Sequence, residues 1–237
     1  MLIASDRSLC IDFKGQTLNQ RNALAVEYAS VLNEKNYAWV DSFKVLGSSV
    51  AVIYNPTLCT YKKASATLSR LVRAVKGADP EGKRTVHCLP VCYGGEYAPD
   101  ISFAAKELGI SEEELVKLHT SRDNLVLAGA LGGELWLSAA ESAKRITVSE
   151  KTAVKGSVVF DGVQSVIVSA DRTCDMPVIG RTFVDTFDFG KGEFLIKEGE
   201  YIRFVGVGEN KFKKLADKGG YEIQLRRAGA FDADHNS

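Results

Sequence analysis

Few residues in this chain have chemistry to offer, and most of them fall between positions 87 and 181. His119-Thr120 closes a predicted helix. Imidazole titrates near neutrality, so His119 could pass a proton as general acid or base, with Thr120 hydrogen-bonding a substrate beside it. A histidine at a helix C-terminus is also favoured by the macrodipole alone, which is a structural use. Glu96 and Asp100 stand four apart; they could hold a cation or a substrate amine, or be a solvated acidic turn. Arg181 follows Ile179-Gly180 in a strand-like run. It could clamp a carboxylate through two N–H groups, or it could blunt a strand edge. Tyr93-Gly94-Gly95 breaks a strand, and Pro99-Asp100 opens a helix with Asp100 at the N-cap. Such a passage can turn backbone N–H groups toward an anion. A plain crossover with good turn chemistry has the same pattern.

Other chemistries find little support. The three histidines are His87, inside a strand, His119, and His235, near the last residue. The five cysteines, Cys10, Cys59, Cys88, Cys92 and Cys174, contain no C-x-x-C pair. Neither set has the spacing of a zinc site or a disulfide framework, so five free thiols and no metal are expected. There is no Walker loop, no G-x-G-x-x-G after a strand and no G-x-S-x-G elbow. Leu131-Gly132-Gly133-Glu134 lacks the lysine of a phosphate loop and reads as a turn. Lysine plus arginine equals aspartate plus glutamate, 30 each. That balance argues against nucleic acid and acidic membranes as partners. The 237 residues, 45% apolar and 25% charged, suit a globular protein of one large or two small domains. No run approaches a membrane span, and the first residues do not read as a signal peptide, so a cytoplasmic location is expected.

The elements that must position these residues follow in chain order. Leu9-Cys10-Ile11-Asp12-Phe13 alternates as a strand, and a helix follows from Asn19 with Leu24, Tyr28, Val31 and Leu32 on one face. Two strands over 37–40 and 50–54 flank the turn Gly47-Ser48-Ser49. Thr60 caps a second helix whose face carries Tyr61, Ala64, Leu68, Leu71, Val72 and Val75, and Gly77 ends it. A polar connection, Asp79-Pro80-Glu81-Gly82-Lys83, leads to a strand over 86–92, read as an edge or a strand end because of Pro90. This order, βαββαβ, is the ferredoxin-like arrangement. Two short helices come next, one ended by Gly109 and one opened by the capping box Ser111/Glu114. From Leu125 short strands separated by glycine- or aspartate-rich turns predict a β sandwich or barrel. Residues 209–218 close with an amphipathic helix. The fold class is α+β: a ferredoxin-like domain over 1–93, then a β domain over 94–237 entered through a helical segment, 100–119.

The stretch Pro90-Val91-Cys92-Tyr93-Gly94-Gly95 with Pro99-Asp100 resembles the Pro-Val-x-Tyr-Gly-Gly-x-x-Gly-Pro-Asp segment of the Kip-inhibitor family, which includes the B-type subunit of 5-oxoprolinase and allophanate hydrolase subunit 1; Ala98 replaces the usual glycine. Further agreement lies in Ile11-Asp12-Phe13-Lys14-Gly15, Leu118-His119-Thr120, Lys155-Gly156-Ser157-Val158, Ile179-Gly180-Arg181-Thr182 and Glu198-Gly199-Glu200-Tyr201-Ile202-Arg203-Phe204-Val205. The resemblance implies a ferredoxin-like domain followed by a cyclophilin-like β-barrel domain. It implies one subunit of an ATP-dependent 5-oxoprolinase-like, carboxyltransferase-type complex, a hydrolase of small amide or carboxylate substrates. The implied partner is a Kip-antagonist or allophanate hydrolase subunit 2-type protein, with ATP used by the assembled complex and no cofactor held by this chain alone. The alternative it implies is a non-catalytic regulator that inhibits a sensor histidine kinase.

The expected site lies in a cleft between the domains. His119 and Thr120 are its catalytic residues; Tyr93, Gly94, Gly95, Glu96, Asp100 and Arg181 bind substrate. The chain departs from the family where a Gly-Phe-x-Pro-Gly-Phe-Pro-Tyr-Leu loop would stand. Here Ala128-Gly129-Ala130-Leu131-Gly132-Gly133-Glu134-Leu135-Trp136-Leu137 has neither proline nor phenylalanine. Cys174-Asp175-Met176-Pro177 likewise replaces a Pro-Gly-Gly-Trp segment. Those changes leave open whether the substrate differs or catalysis has been lost from a retained scaffold.

Overall fold

A computed structural model describes residues 2–75, 83–130, 132–138 and 144–227. Gly77, most of the polar connection after it, Leu131 and His235 lie outside the described residues. The chain divides into two compact units, Met1–Gly82 and Lys83–Ser237.

The first unit contains β1 (Leu2–Ser5), β2 (Ser8–Asp12), α1 (Leu18–Lys35), β3 (Val40–Leu46), β4 (Ser49–Tyr54) and α2 (Tyr61–Leu71). Thr17 and Gln20 form a capping box at the start of α1, and Asn36 ends it in the left-handed region. The Thr60 hydroxyl accepts from Lys63 N–H to start α2. The two helices are tied where the buried Tyr28 hydroxyl donates to the Leu68 carbonyl at 3.0 Å. Their buried faces, with Leu32 and Ala64, pack with Leu9, Ile11, Val50 and Val52 of the sheet. Two expectations shift. The strand read at 37–40 starts at Val40 instead, and Tyr37 and Trp39 stack on each other before it. On α2, Tyr61 and Val72 are exposed rather than buried.

The sheet order is β1-β2-β4-β3, antiparallel throughout. The expected βαββαβ unit is therefore not what forms. Its last strand belongs to the second unit, and the N-terminal β1 takes the edge beside β2. The reason lies in β5 (Lys83–Val91): every residue from Val86 to Val91 is buried. A strand buried on both faces and flanked on both sides belongs inside a sheet, not at its edge. β5 gains a parallel neighbour, β15 (Tyr201–Gly206), and an antiparallel one, β16 (Glu222–Arg227). Pro90 is tolerated because β16 pairs only as far as Cys88.

The second unit continues through α3 (Ile101–Leu108), α4 (Glu112–Thr120), β6 (Asp123–Gly129), β7 (Leu135–Ser138), β8 (Lys151–Ala153), β9 (Ser157–Phe160), β10 (Gln164–Ile167), β11 (Arg172–Cys174), β12 (Val178–Arg181), β13 (Phe187–Asp188) and β14 (Glu193–Phe194). After β15 comes α5 (Glu209–Lys218) and then β16. Eight strands form one sheet in the order β12-β9-β10-β7-β6-β15-β5-β16. The sheet curls until β12, at one end, meets the residue just after β5. Cys92 N–H donates to the Arg181 carbonyl at 2.9 Å, and Arg181 N–H donates to the Cys92 carbonyl at 3.0 Å. Leu89, Val91, Val126, Leu137, Val158, Ile167, Ile202 and Phe204 form the core of the curl. The molecule is thus mixed α+β with a curled β-rich unit, as the change of texture near Leu125 indicates. The Ser111/Glu114 capping box forms at the start of α4. The α3 and α4 residues Ile101, Ala104 and Leu115 pack with Phe160 and Ile179.

Candidate functional site

Every residue singled out for chemistry lies in the second unit, but they do not form one cluster. His119, at the end of α4, is 4% exposed. Its ring stacks on Phe204 with centroids 4.3 Å apart and meets Phe160 and Tyr93 edge-on. Nδ1 lies 2.6 Å from the Tyr93 hydroxyl and Nε2 lies 2.9 Å from Ser165 Oγ. Burial pushes the imidazole down to about 3, with the Arg122 charge adding to the effect. Burial likewise holds the Tyr93 phenol well above its ordinary range. Both groups are neutral at physiological pH, and both imidazole nitrogens are occupied. The geometry makes His119 an anchor for Tyr93 and gives no substrate proton a path to it. Thr120 spends its hydroxyl on the Val116 carbonyl, 2.8 Å away, one turn back on its own helix.

The strand-to-helix passage also satisfies itself. Gly94 accepts from Tyr97 N–H, and Gly95 adopts a positive φ of 55° in that turn. Asp100 sits at the N-cap position of α3, yet its carboxylate does not cap the helix. It accepts from Val178 N–H at 2.7 Å and from the Lys151 ammonium. Asp100 N–H donates in turn to the Val178 carbonyl. Of the donors expected to greet an anion, Asp100 N–H is therefore used in fastening α3 to β12, and Tyr97 and Ala98 N–H in the turn itself. Glu96 is exposed. Tyr93 and Gly94 line an open groove of about 530 Å³ with Val116, Gly206, Gly208 and Glu209.

Arg181 opens into a different pocket, of about 360 Å³, together with Tyr97, Lys155, Phe183, Asp185 and Phe212. Its guanidinium stands 5.4 Å from the Tyr97 ring centroid, a cation–π contact that fixes its plane. Tyr97 packs on Phe212, and Phe212 on Phe183, so three aromatic rings run along one side. The Lys155 ammonium pairs with Asp185 at 2.7 Å, both side chains more than half exposed. Arg181 Nε is buried without a partner; so is Ser157 Oγ, though Ser157 does not line this pocket. Ser157 is 1% exposed and stands opposite Arg181 in the β9–β12 register. Buried polar groups are almost always hydrogen-bonded. The Arg181 guanidinium at an aromatic-walled pocket fits an acceptor such as a carboxylate.

Sequence reasoning marked Arg181 but missed Ser157, Lys155, Tyr97, Phe183 and Phe212. Lys155-Gly156-Ser157 stood out only as a stretch matching a family. His87, read as a strand residue, bridges Tyr221 and Glu200, each at 3.0 Å. Desolvation pushes the Glu200 carboxyl up, but hydrogen bonds from His87 and Lys197 N–H outweigh it and leave it below the ordinary range. The five cysteines are unpaired thiols. Among the described residues no helix is long and apolar enough to cross a membrane.

Comparison with known proteins gives this geometry a context. Residues 1–196 match the family model described as carboxyltransferase domain, subdomain C and D. The 5-oxoprolinase B-type subunit of Bacillus subtilis (strain 168) is 25% identical over 224 residues, 87% of this chain and 92% of that protein. Its namesake from Escherichia coli O157:H7 is 30% identical over 122 residues, 49% of this chain and 56% of that protein. Among solved structures, the urea carboxylase of Kluyveromyces lactis superposes with a TM-score of 0.69 over 94% of this chain at 13% identity. This chain spans 23% of that enzyme, and the likeness is one of fold.

Proposed function

The chain belongs to the carboxyltransferase-domain family, matching its subdomains C and D, and we propose that it is one subunit of an assembly that opens a small cyclic amide acid of the 5-oxoproline class with ATP. The observation that carries this reading is Arg181, with a buried, partnerless Nε, at the aromatic-walled pocket it shares with Lys155. A carboxylate there would take a charge-assisted fork from Arg181. A flat lactam ring would lie against Tyr97, Phe183 and Phe212. Lys155 would add a second positive charge, tempered by Asp185.

In the reaction, water adds to the amide carbonyl carbon, the C–N bond breaks and the nitrogen takes a proton; hydrolysis of ATP drives it. The pocket holds no imidazole to move that proton, because His119 is neutral and enclosed elsewhere. This chain therefore holds and orients the substrate, and a Kip-antagonist or allophanate hydrolase subunit 2-type partner brings ATP and the reacting groups. The relatives are named as a lettered subunit of 5-oxoprolinase, which supports a role in a multi-subunit enzyme.

Coexpression with such a partner, followed by an assay of ATP-dependent glutamate release from 5-oxoproline, tests the reading. Arg181→Ala should weaken substrate binding by about 2–3 kcal/mol. An assembly that turns over normally with Arg181→Ala would rule this pocket out.

A further inference from the structure

Helix α5 is fastened to the rest of the second unit through one ring. Phe212 is its only buried residue, 5% exposed; Leu215 is half-buried and the rest are exposed. Among the described residues no hydrogen bond or ion pair joins an α5 residue to another element. The Glu209 carboxylate merely lies against Gly95. The last tie before the helix is Val207 N–H to the Val91 carbonyl at 2.9 Å. The next after it is the Tyr221 hydroxyl at His87 Nδ1. Glycines stand at both roots of the helix, Gly206 and Gly208 before it and Gly219 and Gly220 after it. At Gly208, Gly219 and Gly220 an added Cβ would meet nothing, so the backbone has room to turn there.

The same ring is a wall of the Arg181 pocket. Phe212 packs with Tyr97 and Phe183, which line that pocket, and with Cys92 and Val207, which line the open groove beside Tyr93 and Gly94. It is thus the partition between the two cavities. We propose that α5 is a lid on the Arg181 pocket that closes through Phe212 on a bound carboxylate, an inference that rests on that pocket being the substrate site. A helix of ten residues is marginal in water by itself. Lifting Phe212 out therefore melts α5 between its glycine roots, removes one wall of the pocket and joins it to the groove, which gives a ligand its way in. A ligand lying against Phe212 binds only the docked form, so it shifts the population toward closure and holds the helix together.

Amide hydrogen exchange on the full chain, with 5-oxoproline as the probe and calorimetry on the same samples, reads the lid. In the free chain the amides of α5 should exchange about tenfold or more faster than those of β5 and β15. Saturating 5-oxoproline should slow the α5 amides about fivefold or more, and Arg181→Ala should abolish that slowing. Phe212→Ala should speed α5 exchange in the free chain and remove the effect of the ligand, while Lys214→Ala, at an exposed position of the same helix, should do neither. If Phe212→Ala fails to fold, the free and liganded wild-type chains decide alone. Binding that depends on Arg181 but leaves α5 exchange unchanged would overturn the lid and spare the pocket. α5 amides as slow as those of β15 in the free chain would also overturn it. Absence of binding would overturn pocket and lid together.

Discussion

His119 leaves water behind when the second unit folds, and its protonation then governs stability. The native imidazole is held at about 3 against an ordinary 6.5. Above pH 6.5 both native and unfolded forms are neutral and the group costs nothing. Below it the unfolded chain binds a proton that the native state refuses, so stability falls with pH until about 3. The slope should approach about 1.4 kcal/mol per pH unit between pH 6 and 4. Urea unfolding across that range should show this slope in wild type and lose it in His119→Gln; parallel curves would contradict the neutral, enclosed imidazole. Residue type and spacing pointed to His119, Tyr93 and Arg181, because imidazole, phenol and guanidinium announce themselves. They did not reveal that His119 is sealed by Phe204 and Phe160, since burial depends on strands far away in sequence. Ser157 gave no signal at all. A lone serine in a strand gains meaning only when the β9–β12 register sets it opposite Arg181.

Among the elements, the turn before β9 carries much of the pocket through one glycine. Gly156 has a φ of 80°, where a side chain is strained, and an added Cβ would collide with the Thr182 carbonyl oxygen. Its N–H donates to the Val168 carbonyl at 2.7 Å, and its carbonyl accepts from Thr182 N–H at 2.9 Å. Gly156 thus joins the ends of β9, β10 and β12, with Lys155 and Ser157 on either side. Gly156→Ala should destabilise the chain by about 1–3 kcal/mol and weaken ligand binding at Arg181 as well. Calorimetry for stability and binding would check both, and an unchanged Tm would refute the hub role. Elements with local signals were legible from sequence: the Thr60 cap and the Ser111/Glu114 capping box involve residues three apart. β3 was misplaced because Val40-Asp41-Ser42-Phe43-Lys44-Val45-Leu46 lies at a sheet edge, where only Val45 is buried. Asp100 was rightly placed at a helix start, but its carboxylate is claimed by β12, which no local pattern could foretell.

At the scale of the whole molecule, β5 decides where the chain divides. Read in order, a strand after two helices and three strands completes a familiar unit, and that logic sets a boundary after Tyr93. The structure sets β5 between β15 and β16 instead, partners more than a hundred residues later in the chain. Sequence order carries no trace of such long-range pairing; the near-continuous burial of Val86 through Val91 shows only once the strand is placed. The two assignments predict different behaviour on truncation. A fragment of residues 83–237 keeps the entire eight-stranded sheet and the core residues Leu89 and Val91. A fragment of residues 94–237 loses both, leaves β15 and β16 without the strand between them, and removes Cys92, whose bridge to Arg181 closes the curl. The first fragment should be folded, with a cooperative thermal transition. The second should lack one, since losing a central strand costs more than the whole net stability of a typical domain, roughly 5–15 kcal/mol. Circular dichroism melts of the two fragments make the comparison. A cooperative transition in the shorter fragment, or none in the longer, would mean that β5 is not the strand on which the second unit depends.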